Sequence, residues 1–243
     1  MGWARVHYQA YTGTPESRGK DQKDFVSHDY RMITAEFRNV LSFVLLFICC
    51  AYLYGANVLE GFSHGRMYLL GDSVLDNTNY VANGKSVYAI LHRMHGNVVL
   101  LAKDNSRVSN LEEQMRLIGP EGGTIVISAG GNDILGLRGK EKIVAEHHID
   151  EVFDSYKAKV GKIASNTNCK LRLLDVYRPP GSTGGELQAL IQYWNHKLWI
   201  FARENGYVIV PVSRVMRYPA DFVSVIEPSE IGSEKIAHEI LAR

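Results

Sequence analysis

Met67-Tyr68-Leu69-Leu70-Gly71-Asp72-Ser73-Val74-Leu75-Asp76-Asn77 is the stretch on which the fold turns. An apolar run of strand length stops at a glycine, two small polar residues follow, and a new apolar period opens at Val87, Ile90, Leu91 and Met94. Spacings of three and four put those last residues on one stripe, so the segment predicts a strand, a tight turn and a helix. The same unit recurs along the chain. β-rich runs at Val98–Leu101, Thr124–Ser128, Leu171–Val176 and Tyr207–Val210 alternate with helical periods. One period is Ile149, Val152, Phe153, Tyr156, Val160 and Ile163; the other is Leu187, Leu190, Ile191, Trp194, Leu198 and Phe201. A last helix is expected from about Ser229 to Ala242, with Ser229 as its cap and Glu230 in its first turn. Five β–α units within residues 60–243 predict an α/β domain, a three-layer α/β/α sandwich around a doubly wound parallel sheet of about five strands.

Composition narrows the class. Of 243 residues, 46% are hydrophobic and 22% charged, the balance of a chain that buries a core. Lys plus Arg (27) nearly cancels Asp plus Glu (26), so the charge gives no support to a nucleic-acid partner. Three cysteines, two of them adjacent at Cys49 and Cys50, cannot build a disulfide framework or a Cys-rich zinc site. No predicted helix pairs histidines with carboxylates at metal spacing, so neither a metal nor another cofactor is expected.

Upstream of the domain the pattern changes. Residues 1–38 are polar, carry six Lys/Arg and five Asp/Glu, and read as a largely disordered tail. Residues 39–59 follow, and the twenty positions from Val40 to Leu59 hold no charge. At 1.5 Å per residue they reach about 30 Å, the hydrocarbon thickness of a bilayer. The strands and helices of the domain all begin later, so this segment has no slot in that core and reads as a transmembrane signal-anchor. Lys20, Lys23, Arg31 and Arg38 precede it and Arg66 alone follows within the same reach. The positive-inside rule then places the N-terminus in the cytosol and residues 60–243 in the lumen or outside the cell. The rival reading is a cleaved signal peptide and a secreted domain, although Tyr54-Gly55-Ala56 fits a small-x-small cleavage site poorly.

In an open parallel sheet, ligands bind outside the carboxyl ends of the strands. The residues expected there are small and polar each time: Gly71-Asp72-Ser73, Asp104-Asn105-Ser106, Gly130-Gly131-Asn132-Asp133, and, after a longer segment, Ser224-Val225-Ile226-Glu227-Pro228-Ser229. Tyr177-Arg178-Pro179-Pro180 and a Gly-rich loop to Gly185 follow the fourth strand. That loop lacks the Gly-Lys-Ser/Thr of a phosphate-binding loop and reads as a flexible rim. Any one of these stretches alone is an ordinary turn or cap; their recurrence at one edge of the sheet predicts a site.

Gly71-Asp72-Ser73, Gly130-Gly131-Asn132-Asp133, and Ile226-Glu227-Pro228-Ser229 with Gly232 and Ile236-Ala237 resemble, in order and spacing, blocks I, III and V of the GDSL/SGNH hydrolases. The resemblance covers residues 67–242. It implies a three-layer α/β/α esterase or lipase fold with a serine nucleophile and no metal. It matches Ser73 to the nucleophile and Asn132 to the side-chain donor of the oxyanion hole, which the Ser73 N–H shares. Asn105 falls where the family usually carries a glycine that gives a backbone N–H, a group asparagine also has.

The final block departs from the family pattern. The usual Asp-x-x-His falls on Ser224-Val225-Ile226-Glu227, so Glu227 takes the position of the base and Ser224 that of the orienting carboxylate. The sequence resembles a branch in which Ile-Glu-Pro-Ser replaces the histidine block. Asp221 is a nearby carboxylate expected to support the site. Glutamate, with an ordinary pKa near 4.3, is a weak base at pH 7 unless burial raises it. Among the histidines, His147 and His148 are closest in expectation to the active edge, while His92, His95 and His196 fall elsewhere on their helices. Gly61-Phe62-Ser63-His64-Gly65 spells Gly-x-Ser-x-Gly, but an apolar segment precedes it and a strand follows, the reverse of what a nucleophile elbow needs.

The resemblance implies a membrane-anchored serine hydrolase of ester bonds, acyl esters or O-acetyl groups, in which Ser73 forms an acyl-enzyme. The substrate is then a small-molecule, glycan or lipid ester. The alternative is a non-catalytic binding module that keeps the cleft and has lost the histidine.

Overall fold

Two continuous apolar faces organise the domain. Successive strand residues point to opposite sides of the sheet. Tyr68, Leu70, Ile125, Ile127, Leu171 and Leu173 therefore pack into one core, and Met67, Leu69, Val126, Leu174 and Val210 into the other. The computed structural model describes residues 65–180 and 185–243, with helical backbone also at Val44 and Leu46. Apart from those two positions, the expected tail 1–38 and span 39–59 lie outside the described residues, as do residues 60–64 and 181–184. Among the described residues no helix is long and apolar enough to cross a membrane.

The sheet has five parallel strands: β1 (Arg66–Gly71), β2 (Val98–Leu100), β3 (Gly123–Ser128), β4 (Cys169–Leu174) and β5 (Val208–Val210). Their order is β2-β1-β3-β4-β5. The chain therefore leaves β1 toward one edge and returns to build β3, β4 and β5 on the other side. That reversal is the topological switch point of a doubly wound sheet, and it lies between β1 and β3.

Helices cover both faces. α1 (Val87–His95), α6 (Val212–Val215) and α7 (Glu230–Leu241) carry residues of one core; α2 (Leu111–Met115), α3 (Gly131–Leu135), α4 (Lys142–Asn166) and α5 (Gly185–Asn205) carry those of the other. In the second core Trp194 of α5 meets Phe153 of α4 edge to face, with ring centroids 5.0 Å apart. A short antiparallel pair, β6 (Phe222–Val223) and β7 (Glu227–Pro228), stands apart from the main sheet just before α7.

The expected strands and helical stripes fall where the sequence puts them, with three adjustments. Met94 is exposed on α1, so the stripe ends at Leu91. α4 begins seven residues before the first residue of its expected period. β4 ends at Leu174, so Asp175 and Val176, expected within a strand, already belong to the loop at the carboxyl edge of the sheet. α7 opens at Glu230 under the Ser229 cap, whose hydroxyl accepts from the Gly232 N–H at 3.2 Å.

Candidate active site

Gly71 closes β1 at φ +120°, and a Cβ there would lie 1.6 Å from the Ser128 carbonyl oxygen, so glycine alone lets the chain turn this sharply against β3. The turn delivers Asp72 and Ser73 to the carboxyl edge of the sheet. Asp72 is buried; its Oδ1 accepts from the Ser128 hydroxyl at 2.8 Å and from the Val74 N–H at 3.2 Å. Burial in this pocket, with Glu227 and Asp133 nearby, pushes the Asp72 carboxyl up to about 7. The Ser73 N–H takes part in no hydrogen bond among the described residues.

A second forced glycine places Asn132. Gly130 follows β3 at φ +102°, and a Cβ on it would press within 2.3 Å of the Trp194 ring. α3 then starts at Gly131 with Asn132 in its first turn. The Asn132 Nδ2 donates to the Ser106 carbonyl at 2.9 Å, which fixes the amide and leaves its second hydrogen for the cleft. Beside Ser106, Asn105 stands at φ +60°, the left-handed region that glycine adopts freely and asparagine tolerates. Its N–H, like that of Ser73, is unpaired among the described residues.

Glu227 arrives from the far end of the chain. It is 6% exposed and pairs with Val223 across β6–β7. The hairpin tip runs through Ser224 at φ +48° and Val225 at φ +75°, and a β-branched residue in that region is strained. Three contacts hold the hairpin in place. The Tyr177 hydroxyl donates to the Ile226 carbonyl at 2.8 Å, the Asn77 amide donates to the Pro228 carbonyl at 3.0 Å, and Ser229 N–H donates to the Asp221 carbonyl at 2.9 Å. The Glu227 side chain lies beside Ser73 in one cleft. Burial raises its pKa, Ser73 as hydrogen-bond partner lowers it, and the Asp104 charge raises it, with a net upward shift. Oε2 of Glu227 is buried with no partner among the described residues.

Ser73, Asn132 and Glu227 line one cleft, whose walls are Ile134, Leu135, Val176, Leu187, Ile191 and Ile226. It encloses about 50 Å³. A serine hydroxyl in one cleft with a carboxylate of raised pKa, the Ser73 N–H, the Asn132 amide and an apolar wall can take an acyl group and stabilise an oxyanion.

Solved structures share this architecture. A lipase from a goat rumen metagenome superposes with a TM-score of 0.59 at 18% identity, covering 73% of this chain and 96% of that one. An acetylxylan esterase from Geobacillus stearothermophilus gives 0.58 at 15% identity, over 73% and 93%. A member of the lipolytic G-D-S-L family from Veillonella parvula gives 0.56 at 16% identity, over 73% and 96%. The fold is that of the GDSL/SGNH proteins. No protein-family model and no curated protein matches the chain.

Within the SGNH fold the predicted site residues divide. Ser73, Asn132 and Glu227 come together in the cleft; Asn105 does not line it, and stands one residue before Ser106, whose carbonyl accepts from Asn132. Asp221 does not line the cleft. Its Oδ2 accepts from the Arg217 and Tyr218 N–H groups at 2.8 and 2.9 Å, and its Oδ1 from Lys235 Nζ at 2.6 Å. Burial pushes the Asp221 carboxyl up, but Lys235 and those two N–H groups outweigh it and hold it low. It anchors the segment that leads into the hairpin. Ser224, at the orienting-carboxylate position, is exposed at the tip. His147 and His148 are exposed on α4 beside Glu151, at 3.7 and 3.6 Å, and among the described residues no histidine lines the cleft.

Three supports escaped the sequence reading. Gln114 is buried and binds both the N–H and the carbonyl of Gly71, at 2.6 and 2.9 Å, with its amide also 3.3 Å from the Ser106 hydroxyl. It ties the Gly71–Ser73 turn to the Asn105 loop. Asn195 brackets Val176 through two bonds of 2.8 Å. Asp175, buried at the cleft wall, accepts from the Ser213 N–H and hydroxyl at 2.8 and 2.6 Å. Glutamine and asparagine in a helical period look like solvated-face residues, so nothing local announces these roles.

Proposed function

We propose that the protein is a membrane-anchored serine hydrolase that cleaves ester bonds, in acyl esters or O-acetyl groups, through an acyl-enzyme at Ser73. The observation that carries this reading is that Ser73, Asn132 and the buried Glu227 carboxyl line one cleft. Glu227 takes the proton as Ser73 Oγ attacks the acyl carbon. The N–H groups of Ser73 and Asn105 and the Asn132 amide hold the oxyanion. Collapse expels the alkoxide, which takes the proton back from Glu227. Water then attacks the acyl-enzyme, Glu227 accepts its proton, and the acid leaves as the proton returns to Ser73 Oγ. Burial of Glu227 supports the assignment, because a carboxylate with an ordinary pKa is too weak a base near neutral pH.

The apolar run 39–59 with basic residues before it supports a single-pass anchor, the N-terminus cytosolic and the domain lumenal or extracellular. A second reading, a non-catalytic binding module, draws on the lack of a cleft histidine among the described residues. A fluorophosphonate probe on the full-length protein decides between them. Labelling mapped to Ser73, and lost with ester hydrolysis in Ser73→Ala, is expected; a folded protein that takes no label is the binding module.

A further inference from the structure

We infer that Gln114 is a positioning residue of the oxyanion hole: it holds the turn that carries the Ser73 N–H in register with the Asn132 amide. This role rests on the esterase reading and adds to it a residue that touches neither the substrate nor the reacting atoms.

Gln114 is buried in the short α2, while its neighbours Glu112 and Glu113 pair with Lys162 and Lys103 at the surface. A carboxamide has one acceptor oxygen and two N–H donors, and here all three find a partner. Oε1 accepts from the Gly71 N–H at 2.6 Å; Nε2 donates to the Gly71 carbonyl at 2.9 Å and to the Ser106 hydroxyl at 3.3 Å. The Lys103 N–H shares that carbonyl at 3.0 Å, so the loop after β2 is fastened to Gly71 by backbone and side chain together. Gly71, at φ +120°, is where the chain leaves β1 for Ser73. A side chain that binds both backbone polar groups of this residue fixes the turn at its root.

Ser106 passes the restraint on. Its hydroxyl meets Gln114 and its carbonyl accepts from Asn132 Nδ2 at 2.9 Å, so one buried residue links the two amides. The same loop is tied to α3 a second time, where the Val108 N–H donates to Asp133 Oδ2 at 3.1 Å. The Ser73 N–H comes from the end of β1 and the Asn132 amide from the first turn of α3. Two donors on separate elements share one oxyanion only if their spacing is held. Gln114 does not line the cleft, so it acts through the groups it holds. Its bonds are buried, and deleting the amide leaves Gly71 and Ser106 to regain partners by shifting.

The test uses full-length protein in detergent with p-nitrophenyl acetate as substrate. Gln114→Leu keeps the bulk and removes the three bonds. Because the oxyanion forms only after the substrate has bound, kcat is expected to fall about 10–100-fold while KM stays within about threefold. A double-mutant cycle with Asn132→Ala gives a readout that a merely structural role would not move. Once the amide that Gln114 positions is gone, Gln114→Leu is expected to cost less than about threefold more. Where turnover is too slow to follow, the rate of fluorophosphonate labelling at Ser73 supplies the same ratios. Val160→Ala, in the core near the far end of α4, is the control for lost stability and is expected to keep kcat within about twofold.

An unchanged kcat in Gln114→Leu overturns the inference, as does a loss confined to KM, a loss undiminished beside Asn132→Ala, or an equal loss in Val160→Ala. Wild-type turnover in Asn132→Ala overturns it too. Should Gln114→Leu fail to fold by circular dichroism, Ser106→Ala carries the same cycle. It removes the hydroxyl that Gln114 meets and leaves the carbonyl that holds Asn132. A fall in kcat of at least about threefold that vanishes beside Asn132→Ala supports the role, and any other result overturns it. A wild type that neither hydrolyses the ester nor takes the label overturns the esterase reading and this role with it. An active wild type with any of the contrary outcomes overturns the role alone.

Discussion

Asp72→Asn isolates the electrostatic cost of the active edge. Asparagine keeps an Oδ1 for the Ser128 hydroxyl and the Val74 N–H, so the substitution removes a charge and little else. In the wild type, burial lifts the carboxyl from 3.8 to about 7. Three pH units at 1.36 kcal/mol each amount to about 4 kcal/mol. The sign follows from linkage: the folded state holds this proton more tightly than the unfolded chain. The contribution of Asp72 to stability is therefore complete below pH 4 and is lost as pH rises through 7. Asparagine has no proton to lose. The two proteins should match in stability near pH 4 and separate by about 4 kcal/mol at pH 8, with the variant the more stable. For a domain of this size that is roughly 8–16 °C in melting temperature. Differential scanning fluorimetry of both proteins from pH 4 to 8 measures the separation. Melting curves that stay parallel across the range, or a variant weaker than wild type at pH 8, would refute the reasoning.

Other expectations concern catalysis and location. Glu227→Gln keeps size and hydrogen bonding but removes the base, so kcat/KM should fall by about 10²–10⁴, and near-normal turnover would remove Glu227 from the mechanism. Wild-type activity should rise with pH through the raised Glu227 pKa, since the carboxylate must be ionised to accept the proton; a profile unchanged by Glu227→His would count against this. Tyr177→Phe deletes the hydroxyl that donates to the Ile226 carbonyl and should cost about 1 kcal/mol of stability. By loosening the hairpin it should also lower kcat/KM by about 10–100-fold, an effect that an equally destabilising substitution far from the hairpin should lack. Full-length protein should resist carbonate extraction, and recovery in the soluble fraction with a new N-terminus near residue 57 would identify a cleaved signal peptide instead.

Much of the architecture is legible along the chain because it depends on local periods. Alternating apolar residues in Met67–Leu70 and three-four spacings from Ile149 to Ile163 need no distant partner to declare a strand or a helix. The turn at Gly71-Asp72-Ser73 and the one at Gly130-Gly131-Asn132 are legible for the same reason: a glycine with small polar neighbours after a strand marks the edge where ligands bind. Glu227 was within reach too, by its place in the final block. What the sequence could not disclose is which polar groups spend their hydrogen bonds on each other. Asp221 and Glu227 look interchangeable as nearby carboxylates, yet Lys235 and two backbone N–H groups claim the first, and burial beside Ser73 claims the second. Gln114, Asn195 and Asn77 read as ordinary polar residues until folding brings Gly71, Val176 and Pro228 to them across 43, 19 and 151 positions. Those pairings are decided only in three dimensions, because a hydrogen bond depends on distance and direction, and neither is written in the spacing of the chain.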